Sequence, residues 1–142
     1  MRKAGRIILD TGPLVALLNG RDTHHDWAKA RFAAVKPPLM TCEPVLSEAC
    51  FLLRRLPGAP RAVLQLVERG VVEVPFQLAA EPQALAQLMH RYASVPMALA
   101  DACLVRMAEQ HPDSAVMTLD SDFHVYRIHG RKIVPTLMPG RD

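Results

Sequence analysis

Arg6-Ile7-Ile8-Leu9-Asp10-Thr11-Gly12-Pro13-Leu14 is an apolar run that ends in a carboxylate and turns at once. Branched aliphatic residues in succession, bounded by Gly12-Pro13, read as a short strand buried on both faces, as in the middle of a parallel sheet. Asp10 closes that strand. In open α/β sheets the crevice beyond the carboxyl ends of the strands receives the ligand, so an acid there is a candidate ligand or catalyst.

Working outward, Pro13 suits the first turn of a helix that Leu14, Val15, Leu17 and Leu18 carry to Asn19-Gly20. Asp22 or Thr23 caps a second helix, which ends at Lys36-Pro37-Pro38 before a short strand, Leu39-Met40-Thr41. Helices are then expected over 43–56 and 60–69, a strand over 71–74, helices over 81–92 and from 97 or 98 to 109, and strands over 115–119 and 132–134. The tail, about 136–142, has no periodicity and is expected to be loose. Strands alternating with one or two helices give an α/β fold whose parallel sheet is covered on both faces. There is no internal repeat or interdomain linker, so residues 1–142 are read as one domain.

Hydrophobic residues make up 50% and charged residues 22%, which excludes a long disordered chain. A net charge of +3 tolerates a polyanionic partner without demonstrating one. Cys42, Cys50 and Cys103 are odd in number and lack paired spacing, which favours reduced packing thiols over disulfides or a zinc site. No apolar run reaches the roughly 18 residues of a membrane span and no signal peptide is evident, so the expected location is the cytoplasm.

A few of the 14 acids fall where a solvated charge does not belong. Glu48 lies at helical spacing from Val45, Phe51 and Leu52, and Asp101 from Met97, Ala98, Leu104 and Val105, which predicts that both share an inward face. A lone carboxylate in apolar surroundings costs several kcal/mol unless it is protonated, hydrogen-bonded, paired or bound to metal. Asp120 closes the fourth strand as Asp10 closes the first, and Asp122 follows two residues later. Strand-end acids on a parallel sheet gather at one edge, so Asp10, Glu48, Asp101 and Asp120 are expected to meet. Four like charges in one cleft repel each other, and a divalent cation removes that penalty. All-oxygen ligation selects Mg²⁺ or Mn²⁺, which at such a site activates water for phosphodiester hydrolysis.

These residues resemble a known family. Ile8-Leu9-Asp10-Thr11-Gly12-Pro13-Leu14, Val45-Leu46-Ser47-Glu48-Ala49, Leu99-Ala100-Asp101-Ala102 and Thr118-Leu119-Asp120-Ser121-Asp122-Phe123 are similar, in order and spacing, to the motifs of PIN-domain proteins of the VapC type, the toxins of VapBC toxin-antitoxin pairs. The resemblance implies a three-layer α/β/α sandwich with a central parallel sheet of four or five strands. It implies a Mg²⁺- or Mn²⁺-dependent ribonuclease in which Asp10, Glu48, Asp101 and Asp120 form the catalytic, metal-binding cluster, with Asp122 a weaker ligand. Thr11 and Thr118 match polar positions that support the carboxylates. A homodimer and an antitoxin that covers the acidic pocket are further implications. In the same family His24-His25-Asp26-Trp27 is helix-opening sequence and not a metal site.

Arg54 and Arg55, with Arg61 nearby, are candidate RNA contacts at the rim of the cleft, against the alternative of a solvated helix end. Two rival functions are a PIN-like RNA- or partner-binding module without catalysis, and a phosphatase of the haloacid-dehalogenase type. The second needs another acid two positions after the strand-end nucleophile, where this chain has Gly12.

Overall fold

The computed structural model describes residues 5–140. Five strands, β1 (Ile7–Leu9), β2 (Leu39–Met40), β3 (Val72–Glu73), β4 (Ala115–Met117) and β7 (Thr136–Leu137), form a wholly parallel sheet in the order β3-β2-β1-β4-β7. β1 is the central strand, with Ile8 opposite Met40 on one side and Val116 on the other. Ile8 and Leu9 are fully buried, which is why this strand reads as an uninterrupted apolar run. Six helices cover the faces: α1 (Thr11–Leu18), α2 (His25–Ala34), α3 (Glu43–Leu52), α4 (Ala59–Glu68), α5 (Pro82–Arg91) and α6 (Leu99–Gln110). The architecture is the expected α/β/α sandwich.

The chain leaves β1 toward β2 and β3 on one side, then returns to lay β4 and β7 on the other. The order therefore reverses between β1 and β4, and the carboxyl ends of these two strands flank the switch point where open sheets bind ligands. Gly12 permits that junction to close. A Cβ at this position would stand only 3.1 Å from the side chain of Leu119, just beyond β4. α6 is the most buried helix, with Ala100, Ala102, Cys103, Leu104, Val105, Met107 and Ala108 all in the core, so Asp101 in its first turn is held on a rigid support. Cys42 and Cys103 are buried packing residues, while Cys50 is half-buried; all three are free thiols.

Two C-terminal expectations change. Lys132–Ile133 does form a strand, β6, but it pairs antiparallel with β5 (Arg127–Ile128) in a separate hairpin, and Ile133 is 65% exposed. The fifth strand of the main sheet is instead β7, inside the segment expected to be loose. Val116 donates its N–H to the Pro135 carbonyl at 2.8 Å and Thr118 donates to the Leu137 carbonyl at 3.2 Å. A two-residue strand between Pro135 and Pro139 offers no periodicity to read, and proline, lacking a donor, is tolerated at a sheet edge. Residues 141–142 of that tail lie outside the described residues.

Ending the chain at Pro135 removes β7 and leaves the Thr118 N–H without its acceptor. Urea denaturation should show a loss of roughly 1–3 kcal/mol. An unchanged midpoint would show that β7 contributes nothing to the sheet.

Candidate active site

An open cavity of about 950 Å³ lies over the switch point, and Asp10, Glu48, Asp101 and Asp120 all line it. They arrive from four separate places: the end of β1, the middle of α3, the first turn of α6 and the turn after β4. Asp122 does not line the cavity, although it lies close enough to act electrostatically on Asp101.

Asp10 is the deepest of them, 7% exposed. One carboxylate oxygen accepts the N–H of Thr11 at 2.7 Å and the other accepts the hydroxyl of Thr118, also at 2.7 Å. The Thr118 hydroxyl in turn accepts the N–H of Asp120 at 2.9 Å, and Asp120 accepts the N–H of Asp122 at 2.9 Å. A single buried hydroxyl therefore links the two strand-end acids. On the other side the Thr11 hydroxyl donates to Glu48 Oε1 at 3.1 Å. Thr41, buried beyond β2, donates to the carbonyl of Leu9 at 2.7 Å and braces the end of β1 from behind.

Glu48 is not inward-facing, contrary to the expectation from its spacing. The buried stripe of α3 and its exit is Val45, Ala49 and Leu53, whereas Glu48, Phe51 and Leu52 are exposed. Glu48 flanks that stripe on the cavity side, where Leu52 also lines the wall. Asp101 is half-buried. Its Oδ2 accepts the N–H of Ala98 at 3.0 Å, as an early-turn cap, and lies 3.5 Å from the hydroxyl of the buried Tyr126, which donates to it.

Burial is the main force on the site's protonation. It pushes Asp10 up to about 6 from an ordinary 3.8, against the pull of the Thr118 and Thr11 donors, and the charges of Asp101 and Asp120 push the same way. Asp101 is also raised, by burial first and then by Asp120, Glu48 and Asp122, against the Ala98 hydrogen bond. Burial likewise raises the Tyr126 hydroxyl, keeping it a donor. Among the described residues, none of Asp10, Glu48, Asp101, Asp120 or Asp122 has an ion pair with a lysine, arginine or histidine.

The donor set is all oxygen and rich in negative charge, which is the chemistry that suits a hard divalent ion. Among the described residues no three ligand-type side chains already close around one point as a finished cage. Glu48, exposed and tied by one hydrogen bond, is the member freest to move inward.

Arg54 and Arg55 do not line the cavity. Arg54 stacks 3.9 Å over the Phe51 ring and donates to the Phe51 carbonyl at 2.8 Å. Sequence patterning missed Arg21, Thr23 and His24, which do line it from the turn between α1 and α2. A turn has no periodicity to betray its direction, and only the packing of α2 on α1 brings these residues over the acids.

The neutral form of Asp10 is the one the fold prefers. Its contribution to stability is therefore fully present below 3.8 and lost as pH rises through about 6, a change of roughly 3 kcal/mol in metal-free protein. Denaturation in a chelator should show Asp10→Asn lacking most of this decline. If the variant declined as steeply as the parent, burial of the Asp10 charge would not be its source.

Residues 7–128 match the PIN domain family. Among solved structures, Mycobacterium tuberculosis VapC20, described as a sarcin-ricin loop cleaving toxin, superposes with a TM-score of 0.75 at 27% identity, covering 84% of this chain and 93% of that one. No curated protein matches. The family match takes in Asp10, Glu48, Asp101 and Asp120 and runs from β1 to the end of β5, and the chain belongs to the PIN domain family.

Proposed function

We propose that this protein is a divalent-metal-dependent endoribonuclease of the VapC type, the toxin of a toxin-antitoxin pair. The observation that carries this is the gathering of Asp10, Glu48, Asp101 and Asp120 from four elements onto one cavity at the switch point, with no ion pair to them among the described residues. Membership of the PIN family and the likeness to an RNA-cleaving toxin support the same chemistry.

Asp10, Glu48, Asp101 and Asp120 are the residues that would hold Mg²⁺ or Mn²⁺, with Asp122 one step behind them. What a bound ion supplies here is charge neutralisation at the phosphate and a water acidic enough to attack at neutral pH. The protein's part is positioning. Thr118 fixes the Asp10 and Asp120 ends together, Thr11 joins Asp10 to Glu48, and Ala98 and Tyr126 orient Asp101. Asp10, held by donors on both oxygens, retains further lone pairs for an ion.

An antitoxin that covers the cavity, a homodimer and a cytoplasmic location belong to the same reading. Exposed Phe51, Leu52, Leu56 and Leu64 around α3 and α4 give a protein partner apolar surface to bury. No helix among the described residues is long and apolar enough to cross a membrane.

Asp10→Asn and Asp101→Asn should each reduce Mn²⁺-dependent cleavage of RNA to background while the circular dichroism spectrum stays native. Mn²⁺ should raise the melting temperature of the parent and leave that of Asp10→Asn nearly unchanged. Full cleavage by either variant overturns the assignment. RNA binding by the parent without cleavage in any divalent ion would favour a binding module instead.

A further inference from the structure

We propose that Arg21 and His24, presented by the turn between α1 and α2, grip the RNA phosphate adjacent to the one being cleaved; this rests on the ribonuclease reading above. The cavity is lined by Asp10, Asp22, Glu48, Asp101 and Asp120, and among the described residues its only side chains able to carry positive charge are Arg21 and His24. An RNA strand drawn toward that many carboxylates is repelled along its length, and an ion at the scissile phosphate offsets that repulsion less at the next one. A cation on the facing wall offsets that repulsion and sets the strand's register.

The wall is built in advance. Asn19 Oδ1 accepts the Arg21 N–H at 3.0 Å, and the Asn19 carbonyl accepts the Asp22 N–H at 3.0 Å. Asp22 Oδ1 accepts the His24 N–H at 2.8 Å, which fixes the turn. The His25 ring nitrogen Nδ1 lies 2.8 Å from the Ala16 carbonyl and fastens the start of α2 to α1. Among the described residues Arg21 has no carboxylate ion-pair partner, and its guanidinium suits bidentate phosphate contact. Thr23 adds a hydroxyl to the same wall. At about 950 Å³ the cavity stands near the top of the roughly 300–1,000 Å³ of ligand pockets, enough for a nucleotide unit beside the scissile phosphate.

The test uses the full chain with Mn²⁺, a fluorescein-labelled RNA stem-loop, and the variants Arg21→Gln, Arg21→Lys and His24→Gln, each checked for a native spectrum. For Arg21→Gln, KM should rise about tenfold with kcat within about twofold, and the salt dependence of kcat/KM should flatten by about one phosphate's worth. Arg21→Lys should recover most of the KM, and His24→Gln should raise KM by a smaller factor. Unchanged KM and salt slope in Arg21→Gln, or a loss confined to kcat, overturns the proposal. If the parent cuts no RNA, the ribonuclease reading fails by itself. Fluorescence anisotropy with the same RNA then decides the wall: weaker binding by Arg21→Gln upholds it and equal binding overturns it.

Discussion

The buried carboxylate of Asp10 is the constraint from which the rest of the site follows. At the end of the central strand it has lost its water, and the fold returns two donors: the Thr11 N–H from the helix that begins there, and the Thr118 hydroxyl from the strand alongside. Because the Thr118 hydroxyl also accepts the Asp120 N–H, satisfying one acid fixes the place of another. Thr11 does the same for Glu48 through its hydroxyl. Two threonines thus convert strand geometry into carboxylate geometry. Their donors only partly offset the burial, as the raised protonation of Asp10 shows, so the site holds electrostatic strain.

The same strain shapes the surroundings. A cavity this negative is a poor host for a polyanion, even on a chain whose net charge is +3. Positive charge offsets that repulsion best where it faces the cavity, and among the described residues Arg21 is the arginine that lines it. Arg54 stacks on Phe51 and Arg106 pairs with Glu81 and Glu109. Arg21 is distinguished by position and by the hydrogen-bonded turn beneath it.

Much of this is legible in the sequence. The Ile7-Ile8-Leu9 run identified the central strand because burial on both faces leaves no room for a polar residue. Asp101 stood out since nearly every neighbour at helical spacing is apolar. The spacing of Glu48 misleads about its face, which is turned to the cavity, while Val45, Ala49 and Leu53 are the core stripe. Thr11 and Thr118 entered through family likeness and not through patterning, because a buried threonine at a strand end looks like any other β-former. β7 was hidden because its ordering comes from the partner strand β4, and the Arg21 turn because its direction comes from helix packing.

The order of the strands also bears on how the protein comes off the ribosome. β1 is made first yet stands in the middle of the sheet, and its neighbour β4 begins only at Ala115. Until that segment emerges, Asp10 lacks the Thr118 donor and Asp101 has only just been added, while the chain already carries β1, β2 and β3. Long-range parallel pairing of this kind is slow to form. A chain that stops short of β4 therefore holds three of the four acids, Asp10, Glu48 and Asp101, without the strand and the Thr118 hydroxyl that join Asp10 to Asp120.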